Sequence, residues 1–179
     1  MLQKSNTLRI LEPFFQEPTK RQYLLEISRK IKLAHTSVKK NLIQLVKEGL
    51  ITEIIEKKGK RKFPIYLANI NNPGFREKKK QYNLQKITES GLIEHIEEKL
   101  TPKSIVLFGS YQRGEDSEDS DIDLFIECKE EKIDLELYEK KLKRKIQLHF
   151  NEKFISYPAE LKNNIINGTI LKGFLEAYK

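Results

Sequence analysis

The sequence predicts an α+β chain made of two modules, and three observations carry that reading. Charge is uneven: of the net +8, residues 1–72 hold 15 basic and 6 acidic side chains, whereas residues 73–179 hold 19 and 20. Apolar residues over the first seventy or so positions recur at helical spacing and then give way to two β-type runs. Further on, "SIVLF" and "SDIDLFIE" read as short strands, one continuous and one alternating. An excess of cations confined to one module points that module at a polyanion.

Composition excludes several classes. Hydrophobic residues make up 38% and charged residues 34%, lean but sufficient for a core. No apolar run approaches the ~18 residues a membrane span needs. The opening "MLQKSNTLRI" has neither an apolar h-region nor a cleavage site, so no secretory signal is expected. The single cysteine, Cys128, forms no internal disulfide and is expected as a buried thiol at a strand end. The expected setting is cytoplasmic.

In the first module, Thr19 and Gln22 have capping-box spacing, which predicts a helix start there. Leu24, Leu25, Ile27 and Ile31 form its apolar stripe, and a break follows near "KLAH". Val38, Leu42, Leu45 and Val46 then give the next helix a buried face. Gly49 is its stop. The opposite face carries Ser37, Lys40, Asn41, Gln44 and Lys47, a stripe of donors suited to base edges and phosphates. Two β runs, "ITEIIE" and "FPIYLA", flank a tip with five cations, Lys57, Lys58, Lys60, Arg61 and Lys62. Pro64 predicts an edge or bulge position. An earlier helix, "TLRILEPFF", is expected to be interrupted near Pro13.

Helix, helix, helix and basic hairpin, with "SVKKNLIQLVKEGLI" as the third helix and its exit, resembles the winged helix-turn-helix domains of prokaryotic transcription regulators over residues ~5–70. The resemblance implies DNA as partner and a homodimer as the binding form. Ala34 stands where that family opens its helix with Ser or Thr, leaving Thr36 and Ser37 as substitutes. Winged helices also dock on proteins, but a tip of five like charges favours nucleic acid.

A domain boundary is expected near Asn72, followed by a helical connector over 73–103 with Phe75, Tyr82, Leu84 and Ile87 as anchors. Gly91 divides it from a second piece marked by Leu92, Ile93 and Ile96. His95 is expected on the surface, and "REKKK" in solvent.

The stretch 109–123, "GSYQRGEDSEDSDID", raises the chemical question. A strand ending in Gly109 and Ser110 brings backbone close to a ligand, and its N–H groups with a hydroxyl suit phosphate oxygens. In "SDIDLFIE", Ile122, Leu124 and Ile126 take one face while Asp121, Asp123 and Phe125 take the other. Two carboxylates on one strand face repel each other unless a cation lies between them, which suits magnesium. Glu115, Asp116, Glu118 and Asp119 read as a solvated acidic loop, and Arg113 as their ion-pair partner.

Gly-Ser, ten residues, then Asp-x-Asp, with "RGE" between, resembles the polymerase-β-like nucleotidyltransferases. The minimal, antitoxin-like prokaryotic members are the most similar, over residues ~90–175. The resemblance implies a small mixed sheet with helices packed on it. It also implies NTP as substrate, ATP included, held through Gly109 and Ser110, and two Mg²⁺ ions on Asp121 and Asp123. Some members nucleotidylate a HEPN-type toxin protein, so such a partner and an autoregulatory role follow by analogy. The family's third carboxylate falls at Gln147 in "IQLHF", where glutamine is a poor ligand and no base. Three groups can stand in: His149 on the same strand face as catalytic base, Asp134 if "IDLELY" is not the cap of a helix, or a group from a partner. Two outcomes therefore stand open, a transferase or a DNA-binding regulator with an impaired transferase domain.

Overall fold

The computed structural model describes residues 6–176, without the Lys58 side chain. The chain divides into two compact units, Met1–Glu77 and Lys78–Lys179.

The first unit runs α1 (Asn6–Gln16), β1 (Gln22–Tyr23), α2 (Leu24–Ile31), α3 (His35–Lys47), β2 (Ile51–Lys58) and β3 (Arg61–Ala68). This is the expected element order, with three corrections. Pro13 lies inside an unbroken α1. Burial of Ile10, Leu11, Phe14 and Phe15 on that helix outweighs the one hydrogen bond a proline forfeits. The Thr19–Gln22 spacing caps nothing: α2 begins at Leu24, and Gln22 and Tyr23 pair with Tyr66 and Ile65 as a strand. Sheet pairing there overrides a local signal. α3 opens at His35 with Ala34 as its cap position and no side-chain cap, so Thr36 and Ser37 do not substitute.

Other features stand as read. Gly49, at φ +70, ends α3: its N–H donates to Val46 at 3.0 Å, and that of Leu50 to Leu45 at 3.0 Å. β2 and β3 pair down to Lys58 and Arg61, leaving Gly59 and Lys60 as the turn. β3 is the middle strand of the order β1-β3-β2. Pro64 nevertheless sits just beyond the two residues that β1 pairs, where β3 has a neighbour on one side only. Phe15 and Phe75, both fully buried, meet at a centroid distance of 5.2 Å.

α4 (Pro73–Ser90) crosses the division, and Gly91 at φ +81 separates it from α5 (Leu92–Leu100). Then follow β4 (Ser104–Phe108), α6 (Gly109–Arg113), β5 (Ile122–Ile126), α7 (Glu136–Leu142), β6 (Ile146–Phe150), α8 (Ala159–Ile166) and β7 (Thr169–Gly173). The strand order is β6-β5-β4-β7, with β5 and β6 parallel and the other neighbours antiparallel. This is the mixed sheet expected. Ile105, Leu107, Ile122 and Leu124 face one core together with Ile87 and Ile96. The segment expected as a connector thus supplies core residues to the second unit. Val106, Phe108 and Phe125 face a smaller core with Phe154 and Ile165. No helix among the described residues is long and apolar enough to cross a membrane.

Two charges expected in solvent are buried. Lys79, from "REKKK", is 1% exposed and Asp116, from the acidic loop, 2%. The Lys79 ammonium lies 3.0 Å from Asp116 Oδ1 and also donates to the Asp116 carbonyl. Asn83 Nδ2, one turn along α4, donates to the same Oδ1 at 2.8 Å and to the Tyr111 carbonyl at 2.9 Å. Arg144 approaches Asp116 Oδ2 at 3.6 Å. Burial pulls the Lys79 ammonium below the ordinary lysine range, and the Asp116 carboxylate opposes that pull.

Removing one partner of a buried pair strands the other charge, which costs about 3–5 kcal/mol. Asp116→Asn should destabilise the second unit by that amount, read as a uniform loss of hydrogen-exchange protection at β4 and β5 amides. A loss below about 1 kcal/mol would mean the site is wetter than its burial indicates.

Candidate functional site

The sheet brings the sequence-predicted residues to one end of the face that also carries Phe108 and Phe125. Phe108, the last residue of β4, pairs with Asp123, and Asp123 pairs in parallel with Gln147 of β6. Asp121 immediately precedes β5. Asp123 is thereby fixed between the end of β4 and the start of β6.

Gly109 follows Phe108 and opens α6 with φ +79. A Cβ built there would lie 2.5 Å from Asp123 Oδ2. Glycine is required twice over, by the backbone conformation and by the carboxylate against it. Ser110 is next, half-buried. Its carbonyl accepts the Glu115 N–H at 3.0 Å, which closes the short helix at Gly114. Arg113 pairs with Glu115 at 2.7 Å, the ion-pair role expected of it.

β6 supplies a partner to each aspartate. Gln147 Nε2 donates to Asp121 Oδ2 at 3.4 Å, and His149 Nε2 lies 3.1 Å from Asp123 Oδ1. The His149 ring also meets Phe108 edge-on at 5.1 Å. Asp121, Asp123, Gln147, His149 and Gly109 are therefore one constellation. Asp134 is not part of it: its carboxylate accepts the Glu136 N–H at 3.0 Å at the start of α7, as the helix reading required. Beside Asp121 a cleft of about 500 Å³ opens between Glu118–Asp121 and α7 with the segment after it, lined by Glu136, Glu139 and Lys140 as well as Lys143, Arg144 and Lys145.

The donor set suits a hard divalent cation, because its charged ligands are oxygen. Among the described residues no three His, Cys, Asp or Glu side chains gather as a metal-binding group. A cation here would rest on Asp121 and Asp123, with phosphate oxygens and water completing its shell.

Residues 89–172 match the family described as "Nucleotidyltransferase domain". The second half of this chain carries a nucleotidyltransferase domain. No curated protein matches the chain. Among solved structures, a "possible transcriptional regulator" from Methanosarcina mazei Go1 is similar at 18% identity, covering 54% of this chain and 76% of that one with a TM-score of 0.38.

In the first unit, the expected donor stripe is only partly outward. Lys40, Gln44 and Lys47 are exposed, and Ser37 is half-buried. Gln44 donates to Glu48 at 2.9 Å. Asn41 is corrected: its amide donates to the Ser37 carbonyl at 2.9 Å and accepts the Thr7 hydroxyl at 3.0 Å, tying α3 to α1. In the hairpin Lys57, Lys60, Arg61 and Lys62 are exposed, while the Lys58 side chain lies outside the described residues.

Outside this constellation, Cys128 is half-buried just past β5, and burial pushes its thiol up. That opposes nucleophile chemistry. His95 is half-buried rather than free in solvent, stacked at 4.9 Å on Tyr138. Sequence reasoning missed the buried group of Asp116, Lys79, Asn83 and Arg144. No local pattern signals them.

Gly109→Ala should cost about 1–2 kcal/mol from backbone conformation alone. An added penalty should appear only where Asp123 is present. A double-mutant cycle with Asp123→Ala measures this. Strictly additive effects would show that the carboxylate does not constrain position 109.

Proposed function

We propose that the protein is a Mg²⁺-dependent nucleotidyltransferase that moves an NMP from an NTP to a hydroxyl of a macromolecule, a protein in the first instance. Its first unit would act as a winged helix-turn-helix on DNA. The observation that carries the enzymatic part is the placing of Asp121 and Asp123 at the start of β5 with Gly109 pressed against Asp123.

In this reading the backbone at Gly109 and the Ser110 hydroxyl hold the triphosphate tail. Asp121 and Asp123 hold the cation. A bound Mg²⁺ supplies neutralisation of charge at the α-phosphate. The acceptor oxygen bonds to the α-phosphorus, the bond to the β-phosphate oxygen breaks, and pyrophosphate leaves in line. The acceptor proton passes to His149, which Asp123 orients through the 3.1 Å contact, or to water. A cytoplasmic setting, where NTPs and DNA are both at hand, suits this pair of modules. An antitoxin-like autoregulator, working as a homodimer and acting on a HEPN-type toxin, is the corresponding biological role.

A second reading has its own observation. Gln147 is the residue paired with Asp123 on β6, where the polymerase-β pattern calls for a third carboxylate. With an amide there, the domain would bind nucleotide or a partner and serve a DNA-binding regulator, with transfer weakened by ~10²–10⁴-fold.

Equilibrium binding of each of the four NTPs, with Mg²⁺ and with EDTA, tests the shared part of both readings. Binding should require the metal and be lost in Asp121→Asn/Asp123→Asn. No binding by any NTP would sink both. Transfer of labelled NMP to a co-purified protein then separates enzyme from regulator.

DNA binding is tested separately with a random-sequence duplex. Affinity should fall steeply with salt, and Lys60→Ala/Arg61→Ala/Lys62→Ala should flatten the log–log salt slope by up to ~3. An unchanged slope would remove the wing from the DNA interface.

A further inference from the structure

We propose that Asp116 is a positioning residue for the nucleotide site, holding in register the three backbone segments that carry Gly109, Asp121 and Gln147. This rests on the nucleotide-binding reading above and names the device that shapes that site.

Two of the three segments meet a direct partner of Asp116, and the third contains Asp116 itself. At α6, Asn83 donates to the Tyr111 carbonyl, one residue past Ser110, and to Asp116 Oδ1. In the loop, Ser117 N–H donates to Ser120 Oγ at 2.9 Å, a turn that makes the short passage from Asp116 to Asp121 compact. Before β6, Arg144 approaches Asp116 Oδ2 at 3.6 Å, and the next residue, Lys145, accepts the Ile122 N–H at 2.8 Å. Lys79 grips Asp116 by both carboxylate and carbonyl, so side chain and backbone are fixed together.

The choice of charges argues for geometry over stability. A buried ion pair seldom stabilises a fold more than apolar side chains of the same volume do. It does impose direction where a donor meets a fixed oxygen, as Lys79 and Asn83 meet Asp116 Oδ1. Asp116 touches neither Asp121 nor Asp123 directly. Its effect on nucleotide is expected through backbone placement, at about the ten- to hundredfold level seen when outer partners of metal ligands are lost.

The test uses the full chain and each of the four ribonucleoside triphosphates with Mg²⁺, at low temperature where circular dichroism shows the variants folded. Asp116→Asn should weaken nucleotide binding at least about tenfold, and Asp116→Glu, which keeps the charge, should recover part of it. The decisive variant is Lys79→Met/Asp116→Leu/Arg144→Met. It should regain the melting temperature of the parent protein while still binding nucleotide weakly. Parental affinity in that variant would overturn the proposal, leaving the network a structural pair only. Should the triple variant not fold, equal affinities of Asp116→Asn and Asp116→Glu would overturn it instead. If the parent protein binds no nucleotide, the proposed function fails, and the positioning claim is read from the His149 ring nitrogen signals by NMR. Displacement of those signals in the folded variants supports positioning, and parental signals overturn it.

Discussion

The constraint on which the candidate site depends is the approach of Asp123 to the backbone at Gly109. Pairing Phe108 with Asp123 on one side and Gln147 with Asp123 on the other fixes the Asp123 backbone beside position 109. A side chain at position 109 would collide with the Asp123 carboxylate at 2.5 Å. β4 must therefore be followed by glycine, where the chain turns into α6. Further along the same face, Val106 and Phe125 are sealed under Phe154 and Ile165. One end of the sheet face is thus apolar and closed, and the other polar and accessible. That division turns an ordinary strand end into a place where a ligand can meet two carboxylates.

Two aspartates so near each other repel, and β6 answers this with one donor each. The Gln147 amide meets Asp121, and the His149 ring meets Asp123. The edge contact of that ring with Phe108 packs it against the strand end that Gly109 follows. Register and electrostatics thus act on the same residues: a shift of β6 by one position would turn both donors to the opposite face. The buried pair of Lys79 and Asp116 stands behind this arrangement, at the other end of the loop that leads into β5.

Much of this was legible in the chain because it is written in local patterns. The alternation of Ile122, Leu124 and Ile126 against Asp121, Asp123 and Phe125 predicts the two faces of β5, and both cores confirm them. Gly49 and Gly91 announce helix ends because a positive φ leaves few residues to choose from. The failures share a cause in packing between distant segments. Thr19 and Gln22 have the spacing of a cap, but β3 claims Gln22 and Tyr23 as a strand. Asn41 looks like a reader of bases until α1 offers it Thr7. Lys79 sits in a run of charges and Asp116 in a run of acids. Each run reads as solvated, and only the fold brings one member of each together across 37 positions of sequence.

The same electrostatic reasoning bears on what Gln147 does. A carboxylate at that position would place a third negative charge beside Asp121 and Asp123, and the folded site would then depend on bound metal to hold its shape. The neutral amide removes that dependence and donates to Asp121 instead. The His149 ring acts in the same sense toward Asp123 when its Nε2 carries the proton between them. On the proposed reading, a cation arriving with nucleotide would compete with these donors at the carboxylates. Metal affinity in the absence of nucleotide would then be weakened by the very residues that hold the carboxylates, and a triphosphate would become part of what recruits the ion. On that reading metal and nucleotide binding would be coupled more tightly than by three carboxylates, in an enzyme and in a nucleotide-responsive regulator alike.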